Sequence, residues 1–144
     1  MTGTTDFQRL MQGVIPYLAI DGAEKAAELY RDAFAARQVG QTVKGQDGRV
    51  MNIMLEINGG TLMLSDPFPE AADMPAAQAA TSQGLTLQLI VADADGWWQR
   101  AVDAGCEGTH PVKLEFWGDR YGRVRDPFGL DWAFNEPGPG RTPE

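Results

Sequence analysis

The sequence predicts an α+β protein built from two consecutive βαβββ modules. Three observations carry that reading. The chain repeats itself at an offset of about 70 residues, the first signal to seek in any sequence. Each copy opens with a short apolar run followed by a helix-period pattern. Each then continues as three strand-like segments joined at turn residues.

In chain order, residues 1–13 read as an N-terminal extension, with one Arg between Met1 and Gln12 and no apolar stretch of signal-peptide length. The first module spans 14–66. Its opening strand is the run from Val14 to Ile20, and Asp21 follows as a candidate N-cap, with Glu24 completing a capping box. Ala23, Ala26, Ala27, Tyr30, Ala33 and Phe34 recur at helical spacing and predict one buried face. Strands are predicted over 37–43, 50–57 and 61–65, with Asp47-Gly48 and Asn58-Gly59 supplying tight turns.

Residues 67–83 are rich in Ala and Pro without apolar periodicity and read as a linker or mobile flap. The second module spans 84–136. It opens with Leu85 to Val91, has Asp93 as a cap, and carries Ala94, Trp97, Trp98, Ala101 and Val102 inward on its helix. Gly105 sits where a left-handed residue ends a helix. Strands follow over 107–113, 121–126 and 130–135, the last turn being Asp126-Pro127-Phe128-Gly129. Residues 137–144, rich in Pro and Gly, read as a disordered tail.

Composition narrows the function classes. A formal net charge of −8 argues against nucleic acid and anionic membrane as partners, because both need a basic footprint. No apolar run reaches the roughly 18 residues of a membrane span. The single cysteine, Cys106, allows no intramolecular disulfide, which fits a cytoplasmic location. The acidic balance is compatible with a cationic ligand, although surface carboxylates also serve solubility.

The stretch Tyr17 to Tyr30 (YLAIDGAEKAAELY), and more specifically Phe116 to Gly129 (FWGDRYGRVRDPFG), resembles the glyoxalase/bleomycin resistance/extradiol dioxygenase, or vicinal oxygen chelate, superfamily. The likeness is greatest to its PhnB-like branch, often called 3-demethylubiquinone methyltransferase-like. It covers about Val14 to Asn135. The resemblance implies a mixed sheet in each module, the two sheets packed as a cupped barrel around a cleft, and a homodimer. It does not imply one reaction, since the fold hosts enzymes and drug-binding proteins alike.

In metal-dependent members each module supplies one ligand from its first strand and one from its last. Carried over through the repeat, those positions are Ile15 and Met63 in the first module, Thr86 and Ala133 in the second. None offers the carboxylate or imidazole that a divalent cation wants. A one-residue slip offers Pro16, Leu62, Leu87 and Trp132, which are no better. The expectation is therefore no metal site and no cofactor.

Strand alternation names the cleft face instead. In the first module it holds Ile15, Tyr17, Asn52, Met54, Glu56 and Met63, opposite an apolar face of Met51, Ile53, Leu55 and Ile57. In the second it holds Thr86, Gln88, Arg123, Arg125, Asp131, Ala133 and Asn135. Phe116 and Trp117, on a loop beside Gly118, either stack on a flat ligand or close the end of the sheet. Arg123 and Arg125 either grip a carboxylate or pair with Glu56 or Asp131. Arg120 is expected to pair with Asp119, and His110 to lie at the surface near a turn. At least one of Trp97 and Trp98 is expected in the core, as are Trp132 and Phe134, and Cys106 is not expected to be a nucleophile.

The leading expectation is a protein that binds a small organic molecule in the inter-module cleft without a metal, a basic or peptide-like antibiotic being one candidate. The alternative is an enzyme of the same superfamily: a lyase, isomerase or dioxygenase with unconventional metal ligands, or a metal-free catalyst. In the metal-free case Glu56, its pKa raised by an apolar cleft, is the candidate general base. A third possibility is a partner domain that kept the fold and lost the chemistry.

Overall fold

Period-two alternation and tight turns sort the strands of the computed structural model into two mixed sheets. The structure describes residues 2–71, 73 and 79–140. The elements are α1 (Thr2–Leu10), β1 (Tyr17–Ala19), α2 (Ala23–Phe34), β2 (Arg37–Gln38), β3 (Val43–Lys44), β4 (Val50–Ile57) and β5 (Gly60–Ser65). They continue with β6 (Leu87–Ile90), α3 (Ala94–Asp103), β7 (Glu107–Leu114), β8 (Arg120–Arg125) and β9 (Asp131–Glu136). The chain forms two compact units: the described residues of Met1–Arg31 with Ala35–Ala80, and those of Asp32–Phe34 with Thr81–Glu144.

The first sheet runs β1-β5-β4-β2, with β3 also on β4; the second runs β6-β9-β8-β7. In each, the module's first strand lies parallel to its last, and the remaining pairs are antiparallel. The fold is thus the α+β arrangement expected, with one correction: the described strands make two open sheets, not a closed barrel. The predicted strand over 37–43 is also broken, because Gly40 turns the chain with φ of 73° and separates β2 from β3.

The repeat is exact enough to be seen in single hydrogen bonds. Ile20 N–H donates to Ser65 O at 2.8 Å, and Val91 N–H to Asn135 O at 3.0 Å. A carboxylate at the end of each last strand, Asp66 just after β5 and Glu136 closing β9, reaches back to the start of its helix. Asp66 Oδ1 accepts from Ala23 N at 2.9 Å, and Glu136 Oε1 accepts from Ala94 N at 3.0 Å. An anion there meets an otherwise unpaired N–H and the positive end of the helix dipole. The first cap is therefore Asp66 and not Asp21, whose neighbour Gly22 takes the N-cap position with φ of 92°. Asp93 caps α3 as expected, accepting from Gly96 N, and Gly105 follows that helix at φ of 118°.

Alternation places the core. Ile53, Leu55, Ile57, Leu62 and Leu64 are buried in the first unit, as are Ala23, Ala26, Ala27 and Tyr30 of α2. Met51, expected among them, is 49% exposed near the start of β4. In the second unit Trp132 stacks on Phe34 at 4.1 Å between ring centroids, and Phe134 packs at their side. Such ring pairs add about 0.5–1.5 kcal/mol beyond burial. Trp98, only half-buried, lies over Gly108 and Gly122, and its Nε1 donates to Arg123 O at 3.1 Å.

The N-terminal segment, read as an extension, is a helix. Its C-terminal Leu10 is buried, and Leu10 O accepts from Thr61 Oγ1 at 2.6 Å. The linker is tied down where it is described: Arg49 pairs with Glu70, lies over the Phe68 ring, and Ala80 N donates to Ala19 O. Residues 72 and 74–78 of the expected flap lie outside the described residues, as do 141–144 of the expected disordered tail. Within that tail Gly138 N–H is held by Asp119 Oδ1 at 2.9 Å. Among the described residues no helix is long and apolar enough to cross a membrane.

Candidate functional site

Register fixes which of the predicted residues share a face. In the first sheet Tyr17 lies opposite Met63, Met63 opposite Met54, and Glu56 opposite both Thr61 and Arg37. Tyr17, Asn52, Met54, Glu56 and Met63 are therefore on one face, away from the apolar core face; Ile15 precedes β1 and is half-buried. Tyr17 Oη donates to Met51 O at 2.7 Å and accepts from Asn52 Nδ2 at 3.0 Å. Met54 is buried on this face.

Glu56 is not the apolar-cleft carboxylate expected. Arg37 Nε and Nη2 donate to its Oε1, and Arg9 Nη1 to its Oε2 at 3.2 Å. Asp6 closes the cluster by accepting from both arginines. The Arg37 guanidinium, aided by Arg9, holds the Glu56 pKa below the ordinary glutamate value, the opposite of what a general base at neutral pH needs. The partners come from β2, which sets Arg37 opposite Glu56, and from the unforeseen helix α1, which delivers Arg9 and Asp6 to this face.

In the second sheet Gln88 lies opposite Ala133, Ala133 opposite Arg123, and Arg123 opposite His110. Arg125 pairs with Asp131, and Tyr121 with Asn135. The seven residues predicted for this face lie together on it, with Asn135 buried and its Nδ2 donating to Asp119 Oδ2 at 2.8 Å. Arg125 is engaged by Asp131 at 2.9 Å. Arg120 pairs with Asp95 on α3 and not with Asp119, because Asp119 is buried and already holds Asn135 and Gly138.

Arg123 has no carboxylate partner among the described residues. Its Nη1 donates to Tyr121 Oη at 2.6 Å and its Nη2 to Thr86 Oγ1 at 2.8 Å. Beside it runs a row of aromatic rings in edge-to-face contact. Phe116 meets Trp117 at 5.0 Å, Trp117 meets Tyr121 at 5.5 Å, and Tyr121 meets His110 at 5.9 Å. Phe116 is 96% exposed and Trp117 38% exposed, so these rings are presented and not packed away. His110 is half-buried with its Nε2 2.8 Å from Glu115 Oε2, a position its neighbouring Pro111 did not indicate. Tyr121 was legible: it stands two residues before Arg123 on one strand and shares its face by alternation. Glu115 was not, since a loop brings it to the histidine.

The superfamily's metal does not fit this donor set. Ala133 has no donor atom in its side chain, Met63 offers a thioether, and Ile15 offers nothing. Thr86 Oγ1 is already bound by a guanidinium, whose charge opposes a cation at the same place. One carboxylate group elsewhere, Asp93 with Asp95 and Glu136, has all three members engaged, with Gly96 N, Arg120 and Ala94 N. Cys106 is buried and its thiol is pushed up to about 12, chiefly by burial and secondarily by Asp126, so it is no nucleophile.

Comparison with known proteins accords with this architecture. Residues 12–134 match the family model of the Glyoxalase/Bleomycin resistance protein/Dioxygenase superfamily. An uncharacterized protein of Mycobacterium bovis is 38% identical over 124 residues, covering 85% of this chain and 81% of that protein. Among solved structures, TioX from Micromonospora sp. ML1 superposes with a TM-score of 0.70 at 22% identity, covering 87% of this chain and 98% of the other. A glyoxalase-related enzyme from Fulvimarina pelagi gives 0.69 at 22%, covering 88% of each chain. The PhnB protein from Bacillus cereus gives 0.65 at 15%, covering 87% and 99%. At these identities the structural likenesses speak for the fold alone.

Proposed function

The chain belongs to the glyoxalase/bleomycin resistance protein/dioxygenase superfamily, and from that premise we propose that it binds a small organic molecule against the aromatic face of its second sheet, without a metal at the conventional positions. The observation that carries the reading is the presented row Phe116, Trp117, Tyr121 beside the hydroxyl and guanidinium groups of Thr86 and Arg123. Apolar rings with a few fixed polar groups are what a small-molecule site needs for adhesion and orientation. A ring stacked on Trp117 contributes about 0.5–1.5 kcal/mol beyond burial, so Trp117→Ala weakens binding about tenfold.

The test is a thermal-shift screen of flat aromatic compounds of all charge types. Ligands raise the melting temperature by mass action. The expected result is a set of stabilising compounds whose effect is lost in Trp117→Ala. A screen with no hits, or hits indifferent to Trp117→Ala, overturns the proposal.

A second reading, acid–base chemistry on the bound molecule, draws support from one observation. The His110 imidazole is oriented by Glu115 on the same face as Arg123, the geometry of a positioned general base. Turnover of any hit, abolished in His110→Gln with binding retained, supports it; hits recovered unchanged refute it.

A further inference from the structure

We propose that the second sheet's face selects a flat aromatic acid, its ring on the aromatic row and its carboxylate on Arg123; this rests on the small-molecule reading above. Arg9, Arg37, Arg49, Arg120 and Arg125 each hold a carboxylate. Arg123, half-buried in the middle of β8, holds two hydroxyl oxygens instead. A guanidinium in a partly desolvated place without a counter-ion is poised to accept one.

The hydroxyls sharpen the point. Tyr121 Oη and Thr86 Oγ1 each accept a hydrogen bond from Arg123, so each keeps its own proton to give. The remaining N–H groups of the guanidinium and the two O–H groups therefore form a cluster of donors. The residue directly across β9 is Ala133, which offers no acceptor. Lys113, opposite Tyr121 on β7, adds a second positive charge at the rim. Such a cluster suits an anion and rejects a cation.

The cluster also stands where the superfamily resemblance places metal ligands in this module, at Thr86 and Ala133. A fixed cation has taken that place. One guanidinium matches one carboxylate in a bidentate grip, while the overall charge of −8 disfavours polyanions. The ring requirement comes from Tyr121, which belongs to both systems: it accepts from Arg123 and meets Trp117 edge to face. A carboxylate on Arg123 thus sets an attached ring beside Trp117. The acidic composition pointed to a cationic ligand; the uncompensated charge on this face is the reverse, because Asp131 is held by Arg125 and Glu115 by His110, while Arg123 holds no carboxylate among the described residues.

Calorimetric titration of the full chain with 1-naphthoate, 1-naphthamide and 1-naphthylmethylammonium tests this, since the three share a ring and differ in charge. The naphthoate binds about tenfold or more tightly than the amide, and the ammonium most weakly. In Arg123→Gln the naphthoate loses that advantage while the amide is little changed; Arg100→Gln, the same charge change on α3, preserves it. Equal or tighter binding of the amide or ammonium overturns the inference but leaves the small-molecule reading standing if Trp117→Ala abolishes it. Failure of all three probes to bind overturns the inference and counts against that reading. The comparison in the unaltered protein decides the matter even if Arg123→Gln does not fold.

Discussion

Gly108→Ala is a one-carbon change with a calculable consequence. A Cβ built at Gly108 falls 2.3 Å from Trp98 Cζ2 and 2.9 Å from Cη2, far inside van der Waals contact. The indole has little freedom to retreat. Its Nε1 is bonded to Arg123 O at 3.1 Å, which ties the ring to β8. Relief requires the ring to shift, which costs about 1–3 kcal/mol for overpacking and about 1 kcal/mol if the indole hydrogen bond is lost. The expected destabilisation is about 2–4 kcal/mol, or about 1–2 M in urea midpoint for a domain of this size. All four tryptophans lie in the second unit, so urea unfolding followed by tryptophan fluorescence reports on the affected part. Trp98→Phe removes the outer indole ring atoms, so Gly108→Ala should cost less in that background by about 1–2 kcal/mol. A midpoint unchanged by Gly108→Ala, or the same cost in both backgrounds, refutes the reasoning.

Three further outcomes follow from the structure. Asp66 accepts from both Ala23 N and Val50 N, at 2.9 and 2.7 Å, so Asp66→Ala should destabilise the first unit by about 2–4 kcal/mol by urea denaturation, and a cost under about 0.5 kcal/mol would sink the cap assignment. The Glu56 pKa is lowered on folding, so its contribution is present above the unfolded value of about 4.3 and is lost as pH falls through the lower folded value. Wild type should therefore exceed Glu56→Gln in stability at pH 7 and converge with it towards pH 3, and a gap that widens in acid would contradict the clamp. Since Ile15, Met63, Thr86 and Ala133 cannot ligate a divalent cation, elemental analysis of protein purified without chelator should find metal near background, and chelator should leave the melting temperature unmoved; stoichiometric metal would contradict this.

The modules were legible because each is a short-range pattern. The helix faces of α2 and α3, the Asp-Gly and Asn-Gly turns and the alternation along β4 and β9 all depend on residues close in sequence. Alternation also groups Thr86, Gln88, Arg123 and Ala133 on one face, since a strand's faces follow from counting by two. What escaped depends on distant partners. Helix α1 offers only a weak apolar stripe, so its docking through Arg9 and Leu10 is not legible, and neither is the pairing of Glu56 with Arg37 across the sheet and with Arg9. The caps from Asp66 and Glu136 span more than forty residues and leave no local trace. Arg120 chose Asp95 over the adjacent Asp119 for the same reason: sequence neighbours compete with partners only the fold brings near.

The most direct test of ligand binding on the second sheet is a nuclear magnetic resonance titration that follows the four tryptophan indole N–H signals while flat aromatic compounds are added. Binding as proposed shifts Trp117 most. Trp132 should stay still, because it is buried with its Nε1 bonded to Asp126 Oδ2 at 2.9 Å. Shifts confined to Trp97, or no shift at Trp117 with any compound that binds, would contradict the account.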